Sequence, residues 1–239
     1  MNPKLVILAG GRGTRLNEKT RDIPKPLISL GDSKPIIWHI MNWYSKHGFK
    51  DFVVCLGYKG HLISNYFDTN PQNVWNIDFV DTGLEDGTAS RVSQIKKYVG
   101  ETFFLTYGDG LSNVNISSLL NFHLENKKLA TVTAVRPLVR FGLLKLDNNQ
   151  VKSFNKYSKP PDGWIDGGFF VFQKEIFDMI NIVDKSEMLE GAVLENLASL
   201  DEFCAYRHEG YWRCIDTYRD LKMVNEDIKE KKGLWNESF

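Results

Sequence analysis

The sequence predicts an α/β chain with a mixed, mostly parallel central sheet flanked by helices. Three observations carry that reading. Short apolar runs alternate with segments of helical period through the first half. The first run, Lys4 to Ala9, closes on glycines, as a strand buried on both faces does. The segments between runs are long enough for right-handed crossovers to parallel neighbours. With 239 residues, 42% of them hydrophobic, the chain can bury a sizeable core, and it reads as one domain over 1–239.

Each element follows from its own pattern. After the first strand, Lys34 to Lys46 carries Ile36, Ile37, Ile40, Met41 and Tyr44 at helical spacing, and Gly48 stops it. Asp51 to Leu56 is a strand, Tyr58 to Phe67 a short amphipathic helix, and Ile77 to Val80 the next strand. Thr88 to Val99 reads as helix, with Val92, Ile95 and Val99 on one side; Phe103 to Thr106 is the fourth strand. Beyond about residue 125 strand-like runs dominate: Ala130 to Val135, Leu143 to Leu146, Val151 to Asn155 and Gly168 to Phe172. Helices return at Lys174 to Ile180, Leu189 to Leu200 and Tyr218 to Lys231. The change of character divides the domain into halves of about 1–125 and 126–239.

Composition excludes several functions. Lys plus Arg equals Asp plus Glu at 30 each, with no long basic block, so a general nucleic-acid surface is not expected. Cys55, Cys204 and Cys214 are odd in number and lack metal spacing, which suits reduced cytoplasmic thiols better than a disulfide framework. No run approaches about 18 apolar residues, so no membrane span is expected. The opening strand is too short for a signal-peptide core, and the expected location is cytoplasmic. His39, His47, His61, His123 and His208 are scattered and read as structural.

The chemistry concentrates where the first strand ends, in Leu8-Ala9-Gly10-Gly11-Arg12-Gly13-Thr14-Arg15-Leu16, with Pro24-Lys25-Pro26 close behind. Gly10, Gly11 and Gly13 let phosphates approach backbone amides with no Cβ in the way. Arg15 offers a bidentate cation and Lys25 a point charge. Such a turn at the carboxyl edge of a sheet is where α/β proteins bind nucleotides. Asp109 follows the fourth strand between Gly108 and Gly110, and Asp216 follows Gly210-Tyr211-Trp212. Two carboxylates converging beside a phosphate loop would hold Mg²⁺, which prefers oxygen ligands. Read alone, Asp109 also fits a plain turn and Asp216 a helix N-cap. A dinucleotide fold is excluded: Gly11-x-Gly13 leads to Leu16 instead of a third glycine, and no acidic residue closes the second strand. Neither Gly-Lys-Ser/Thr nor Gly-x-Ser-x-Gly occurs at a strand end, so a P-loop and a nucleophile elbow are excluded too.

The run Leu8 to Leu16, with Lys25, resembles the phosphate loop of the sugar-phosphate nucleotidyltransferases. Trp38-His39-Ile40-Met41 and Gly57-Tyr58-Lys59-Gly60 are similar to the glucose-1-phosphate cytidylyltransferase branch more narrowly. So, in order, are Asp81-Thr82-Gly83, Tyr107-Gly108-Asp109-Gly110, Arg140-Phe141-Gly142, Gly167-Gly168-Phe169-Phe170-Val171, and Trp212 with Asp216-Thr217.

The resemblance implies a Rossmann-like nucleotidyltransferase fold with a nucleotide-binding first half and an acceptor-binding second half. It implies transfer of CMP from CTP to a phosphorylated acceptor with release of pyrophosphate, for surface polysaccharide synthesis. Catalysis would fall to Arg15, Lys25, Asp109 and Asp216, with Mg²⁺ on the two aspartates. Leu8 to Arg15, Lys25, Thr88 and Gly108 would hold the nucleotide. Lys156, Tyr157, Lys159, Asp166, Gly167, Glu190 and Trp212 would hold the acceptor. A homo-oligomer is implied as well. Thr88 reads equally as a helix N-cap, Glu190 as dipole support for a helix start, and Trp212 as core filling.

Departures from the pattern bear on the acceptor. Where the family carries Glu-Lys-Pro, an ungapped alignment puts Lys156 and Tyr157, and Asp166 stands where an Asn usually precedes Gly-Gly. The segment between Phe67 and Asp81 is also shorter than the family's. These differences point to another sugar or to a small polyol phosphate such as glycerol phosphate. Use of UTP or dTTP on a sugar 1-phosphate, or a catalytically silent nucleotide-binding module, are the alternatives.

Overall fold

The computed structural model describes residues 2–31, 33–137, 143–155 and 163–236. Strands β1 (Leu5–Leu8), β2 (Asp51–Leu56), β3 (Asn76–Asp81) and β4 (Thr102–Tyr107) alternate with helices α1 (Ile36–Lys46), α2 (Gly60–Thr69) and α3 (Thr88–Ser93). Next come β5 (Gly110–Ser112), α4 (Ile116–Asn126), β6 (Ala130–Val135), the hairpin β7 (Leu143–Asp147) and β8 (Gln150–Asn155), and the long β9 (Ile165–Gln173). The chain closes with α5 (Ile176–Met179), α6 (Leu194–Ser199), β10 (Phe203–His208), β11 (Trp212–Cys214) and α7 (Tyr218–Lys229).

The main sheet has seven strands in the order β10-β6-β9-β4-β1-β2-β3. Every neighbouring pair is parallel except the two made by β9, which runs against β4 on one side and β6 on the other. The sheet is therefore mixed and mostly parallel, as expected. Alternation along each strand feeds two cores. Leu5, Ile7, Phe104 and Phe169 pack under α1 on one face. Val6, Phe103, Leu105 and Phe170 pack with α3 and α6 on the other. No helix among the described residues is long and apolar enough to cross a membrane.

Three predicted helices are shorter or broken. The segment from Thr88 leaves the α-helix at Ser93, although Val92, Ile95 and Val99 are all buried as expected. Polar side chains compete with the ladder there: Ser93 Oγ donates to Ser90 O, and Gln94 Nε2 donates to Thr82 O and Ser90 O. Lys174 to Ile180 contracts to Ile176–Met179. Leu189 to Leu200 breaks at Gly191, whose ψ of −126° kinks the π-type turn Leu189–Val193 that precedes α6. The elements the patterns did not reveal are α4, β5, β10 and β11. Helix α4 carries a start signal, since Asn115 accepts the Ser118 amide at 2.9 Å.

One buried polar cluster contributes to the acid sensitivity of the fold. His123 is fully buried, with its ring against Thr131 Oγ1 and Gln173 Nε2, each at 2.9 Å. Burial lowers its pKa to about 4 from 6.5. The unfolded chain takes up this proton near pH 6.5 and the folded one does not, so stability falls as pH drops from about 6.5 to about 4. The loss from this group is about 3 kcal/mol. Urea unfolding from pH 7.5 to 4 should show that loss for the wild type and a flatter profile for His123→Gln. Identical profiles would assign the acid loss to other groups.

Candidate functional site

The glycines of the turn after β1 are shaped by specific neighbours. Gly13 has φ of +61°, a left-handed conformation that favours glycine. A Cβ on Gly10 would overlap the Arg91 guanidinium, whereas Gly11 has open space around it. The Ala9 amide donates to Cys55 O at 3.0 Å, Leu8 O accepts from Gly108 N, and Gly10 O accepts from Tyr58 N. The amides of Gly11 and Gly13 have no partner among the described residues. They belong to a cavity of about 530 Å³ whose lining runs from Leu8 to Arg15, including Arg12 and Thr14, and continues through Lys25, Thr88 and Gly108.

Arg91 was not expected at the site. Its only sequence signal is a charge at helical spacing from the buried Ile95, four residues on. It is 4% exposed and donates to Leu56 O, Thr82 Oγ1 and Gly83 O, tying the carboxyl ends of β2 and β3 together beneath the glycine turn.

Lys25 lies in a single 3-10 turn, Lys25–Leu27, between Pro24 and Pro26, whose rings each fix their own φ. Pro26 comes so close to Gly108 that a Cβ there would meet Pro26 Cγ at 3.0 Å. The Lys25 ammonium then donates to Asp109 Oδ2 and to Asp216 Oδ1, both at 2.7 Å. Arg15 Nη1 donates to the other oxygen of Asp216 at 2.7 Å. The four residues expected to share a centre meet there.

What joins Asp216 to Asp109 across so much sequence is a small ribbon. Strand β11 pairs antiparallel with β5, Cys214 opposite Gly110, and the Ile215 amide donates to Asp109 O at 3.1 Å. Asp216 is not a helix cap. Thr217 takes that place in a reciprocal capping box with Asp220, which leaves the Asp216 carboxylate to Lys25 and Arg15.

The electrostatics follow from this packing. Burial opposes the charge on Lys25, but Asp109 and Asp216 outweigh it and hold the ammonium above the ordinary lysine value. Burial likewise opposes ionisation of Asp216, and Lys25, Arg15 and the Cys214 thiol outweigh it, so its carboxyl sits below the usual range. Burial, with the two aspartates, pushes the Cys214 thiol up to about 12, so it stays protonated at neutral pH.

The magnesium expectation can be tested on the donor set. Carboxylate oxygens of Asp109 and Asp216 and the Cys214 sulfur lie within 4.8 Å of one another. Two hard carboxylates beside a glycine turn fit Mg²⁺, and the protonated thiol is no ligand for it.

A second cavity, of about 930 Å³, adjoins the first and shares Arg15, Thr88, Tyr107, Asp109 and Asp216 with it. Its other walls include Asp166, Gly167, Glu190 and Trp212. Trp212 Nε1 donates to Gly167 O at 2.8 Å, so this ring both lines the cavity and packs on the core. Glu190 is bonded by the hydroxyls of Thr88, at 2.9 Å, and Tyr107. Thr88 does not cap its own helix. Gly87 holds that position, and Thr88 Oγ1 instead accepts the Leu189 amide at 2.6 Å. Asp166 accepts the Gly168 amide at 2.6 Å. Burial by the cavity walls, opposed by that bond and assisted by the Glu190 charge, raises its carboxyl to about 6. Lys156, Tyr157, Lys159 and the Arg140-Phe141-Gly142 run lie outside the described residues.

The wall between the cavities is pinned by backbone. The Gly87 amide donates to Lys185 O at 2.6 Å and the Ala89 amide to Glu187 O at 3.1 Å. A Cβ on Gly87 would overlap the carbonyl oxygens of Ser186 and Glu187, which cannot swing aside as a side chain would. Gly87→Ala should therefore cost about 1–3 kcal/mol in urea unfolding, the scale of an overpacked site. An unchanged midpoint would show that this contact gives way.

The sequence profile of the nucleotidyl transferase family matches residues 4–231. A probable glucose-1-phosphate cytidylyltransferase of Bacillus subtilis (strain 168) is 41% identical over 253 residues, covering 97% of this chain and 98% of that protein. The glucose-1-phosphate cytidylyltransferase of Salmonella typhi is 40% identical over 256 residues, with the same coverage of 97% and 98%. Among solved structures, HddC from Yersinia pseudotuberculosis superposes with a TM-score of 0.75 at 24% identity, covering 95% of this chain and all of that one. At that identity the likeness speaks for the fold.

Proposed function

This chain belongs to the nucleotidyl transferase family and is a sugar-phosphate nucleotidyltransferase, and from that premise we propose that it transfers CMP from CTP to the phosphate of a sugar or small polyol. The observation that carries the reading is the meeting of Lys25, Arg15, Asp109 and Asp216 where the two cavities join. The relatives named as cytidylyltransferases support CTP as the donor.

In this reading the triphosphate lies along the Gly11 and Gly13 amides, with Arg15 and Arg12 as counter-charges. An oxygen of the acceptor phosphate forms a bond to the α-phosphorus, and the bond from that phosphorus to the bridging oxygen breaks, releasing pyrophosphate. A phosphate oxygen is already nucleophilic at neutral pH, so no general base is needed. Lys25 offsets the charge that grows on the α-phosphate as it becomes five-coordinate. Asp109 and Asp216 would hold a magnesium ion, which supplies further charge neutralisation between donor and acceptor. Holding both reactants in register contributes about 7–11 kcal/mol to the barrier reduction in favourable cases. The product is a CDP-activated compound of the kind that surface polysaccharide synthesis consumes.

The test is direct. The protein is incubated with Mg²⁺, each of CTP, UTP and dTTP, and either glucose 1-phosphate or glycerol 3-phosphate, and pyrophosphate is followed. CTP should support the fastest release with at least one acceptor. Faster release with UTP or dTTP would reassign the base, and none with any combination would remove the catalytic reading.

A further inference from the structure

We propose that the Lys25 ammonium occupies the divalent-ion position while the nucleotide is absent, so that the ion loads only with the nucleotide that draws the ammonium away. The inference rests on the proposed reaction and adds the order in which its site is filled. Lys25 has two tasks there that exclude each other. It bonds Asp109 Oδ2 and Asp216 Oδ1 at 2.7 Å each, standing between the two carboxylates that fit magnesium. It is also the charge that offsets the attacked α-phosphate. An ammonium and a divalent ion on the same two oxygens would repel strongly at that range, so Lys25 leaves before the ion enters.

The structure gives the ammonium somewhere to go. Its backbone is held in the turn between Pro24 and Pro26, but its side chain is a flexible four-carbon stem. That stem packs against the glycine turn: a Cβ on Gly13 would meet Lys25 Cβ at 3.0 Å and Lys25 Cδ at 3.5 Å. A triphosphate along the Gly13 amide therefore lies beside the stem. Lys25, Asp109 and Asp216 line the same cavity as that turn, which leaves room for the ammonium to cross from carboxylates to phosphate. The nucleotide supplies the anion that replaces the two partners Lys25 gives up. Arg15 holds the other oxygen of Asp216 from an exposed side chain, so it can turn towards the phosphates in the same step.

Nucleotide and ion then bind cooperatively, each raising the affinity for the other by the same factor. The charge carried by Lys25 reaches the α-phosphate only when the aspartates have a new partner.

Manganese shares magnesium's preference for oxygen ligands, and the loss of its free paramagnetic resonance signal reads binding without turnover. Lys25→Met alone should bind Mn²⁺ about tenfold or more tightly than the wild type alone, since the competing charge is gone. Asp109→Asn added to Lys25→Met should abolish that gain. CMP, which carries the α-phosphate, should tighten Mn²⁺ binding to the wild type by about tenfold, a coupling of ordinary size. Arg12→Met removes a cation that bonds Glu85 and neither aspartate, and should change the affinity less than about twofold. Lys25→Gln serves if Lys25→Met fails to melt cooperatively.

Equal Mn²⁺ affinities for wild type and Lys25→Met would overturn the inference and leave cytidylyl transfer standing. So would a gain that survives Asp109→Asn, an equal gain from Arg12→Met, or no gain from CMP. Absence of pyrophosphate with every donor and acceptor, beside a Mn²⁺ gain that follows Lys25, would instead remove the transfer reading and keep Lys25 on the ion position.

Discussion

Asp109→Asn should lower kcat by about 10³-fold, the upper end of what losing one preorganised transition-state contact costs, while the melting temperature stays near the wild-type value. The reasoning is local. Asp109 sits in the turn between β4 and β5, where its side chain meets Lys25 at 2.7 Å and its carbonyl takes the Ile215 amide. Asn keeps the shape and an oxygen for Lys25 and leaves the backbone bond untouched. What it removes is one negative charge from the pair proposed to hold Mg²⁺. The residual rate should therefore lose most of its dependence on Mg²⁺ concentration, as read by pyrophosphate release at fixed CTP. Wild-type rates with wild-type Mg²⁺ dependence would end the metal assignment for Asp109.

Lys25→Ala should lower kcat by about 10²–10³-fold with a smaller change in the KM for CTP, because the charge it offsets grows only as the α-phosphate is attacked. Its stability readout differs from that of Asp109→Asn. Lys25 is 8% exposed and bonded to both aspartates, so its removal leaves two carboxylates facing each other without their shared cation. Apparent stability should fall in the absence of Mg²⁺ and recover when it is added, since an ion that binds only the folded state raises its stability by mass action. A change confined to KM would make Lys25 a ground-state binder.

The glycine turn and Lys25 were legible because their signals are local. Gly10 to Gly13 follow directly on a buried strand, and Lys25 stands between two prolines, so position and chemistry are written within a few dozen residues. The convergence of Asp216 on Asp109 was inferred from residue type alone. The device that achieves it, three-residue strands β5 and β11, is too short to leave a period-two pattern. Arg91 escaped notice for a different reason. A buried guanidinium satisfied by backbone carbonyls looks in sequence like any surface arginine on a helix. The helix expected from Thr88 to Val99 had the right buried positions and the wrong length, because serine and glutamine hydroxyls and amides compete for backbone in ways that hydrophobic spacing does not report. That Asp166 and Glu190 line one cavity is a tertiary fact: the two come from β9 and from the turn before α6.

The reversed course of β9 has a consequence for how such a protein changes over time. Because this strand enters the sheet at the edge where its antiparallel neighbours leave, its first residues, Ile165 to Gly167, stand beside Ala134 and Val135 at the far end of β6. Its apolar remainder, Phe169 to Phe172, is committed to the two cores. One segment thus carries an exposed tip on a buried shaft. In the proposed reaction, exchanges at the tip would alter the wall of the larger cavity while the shaft keeps the scaffold undisturbed.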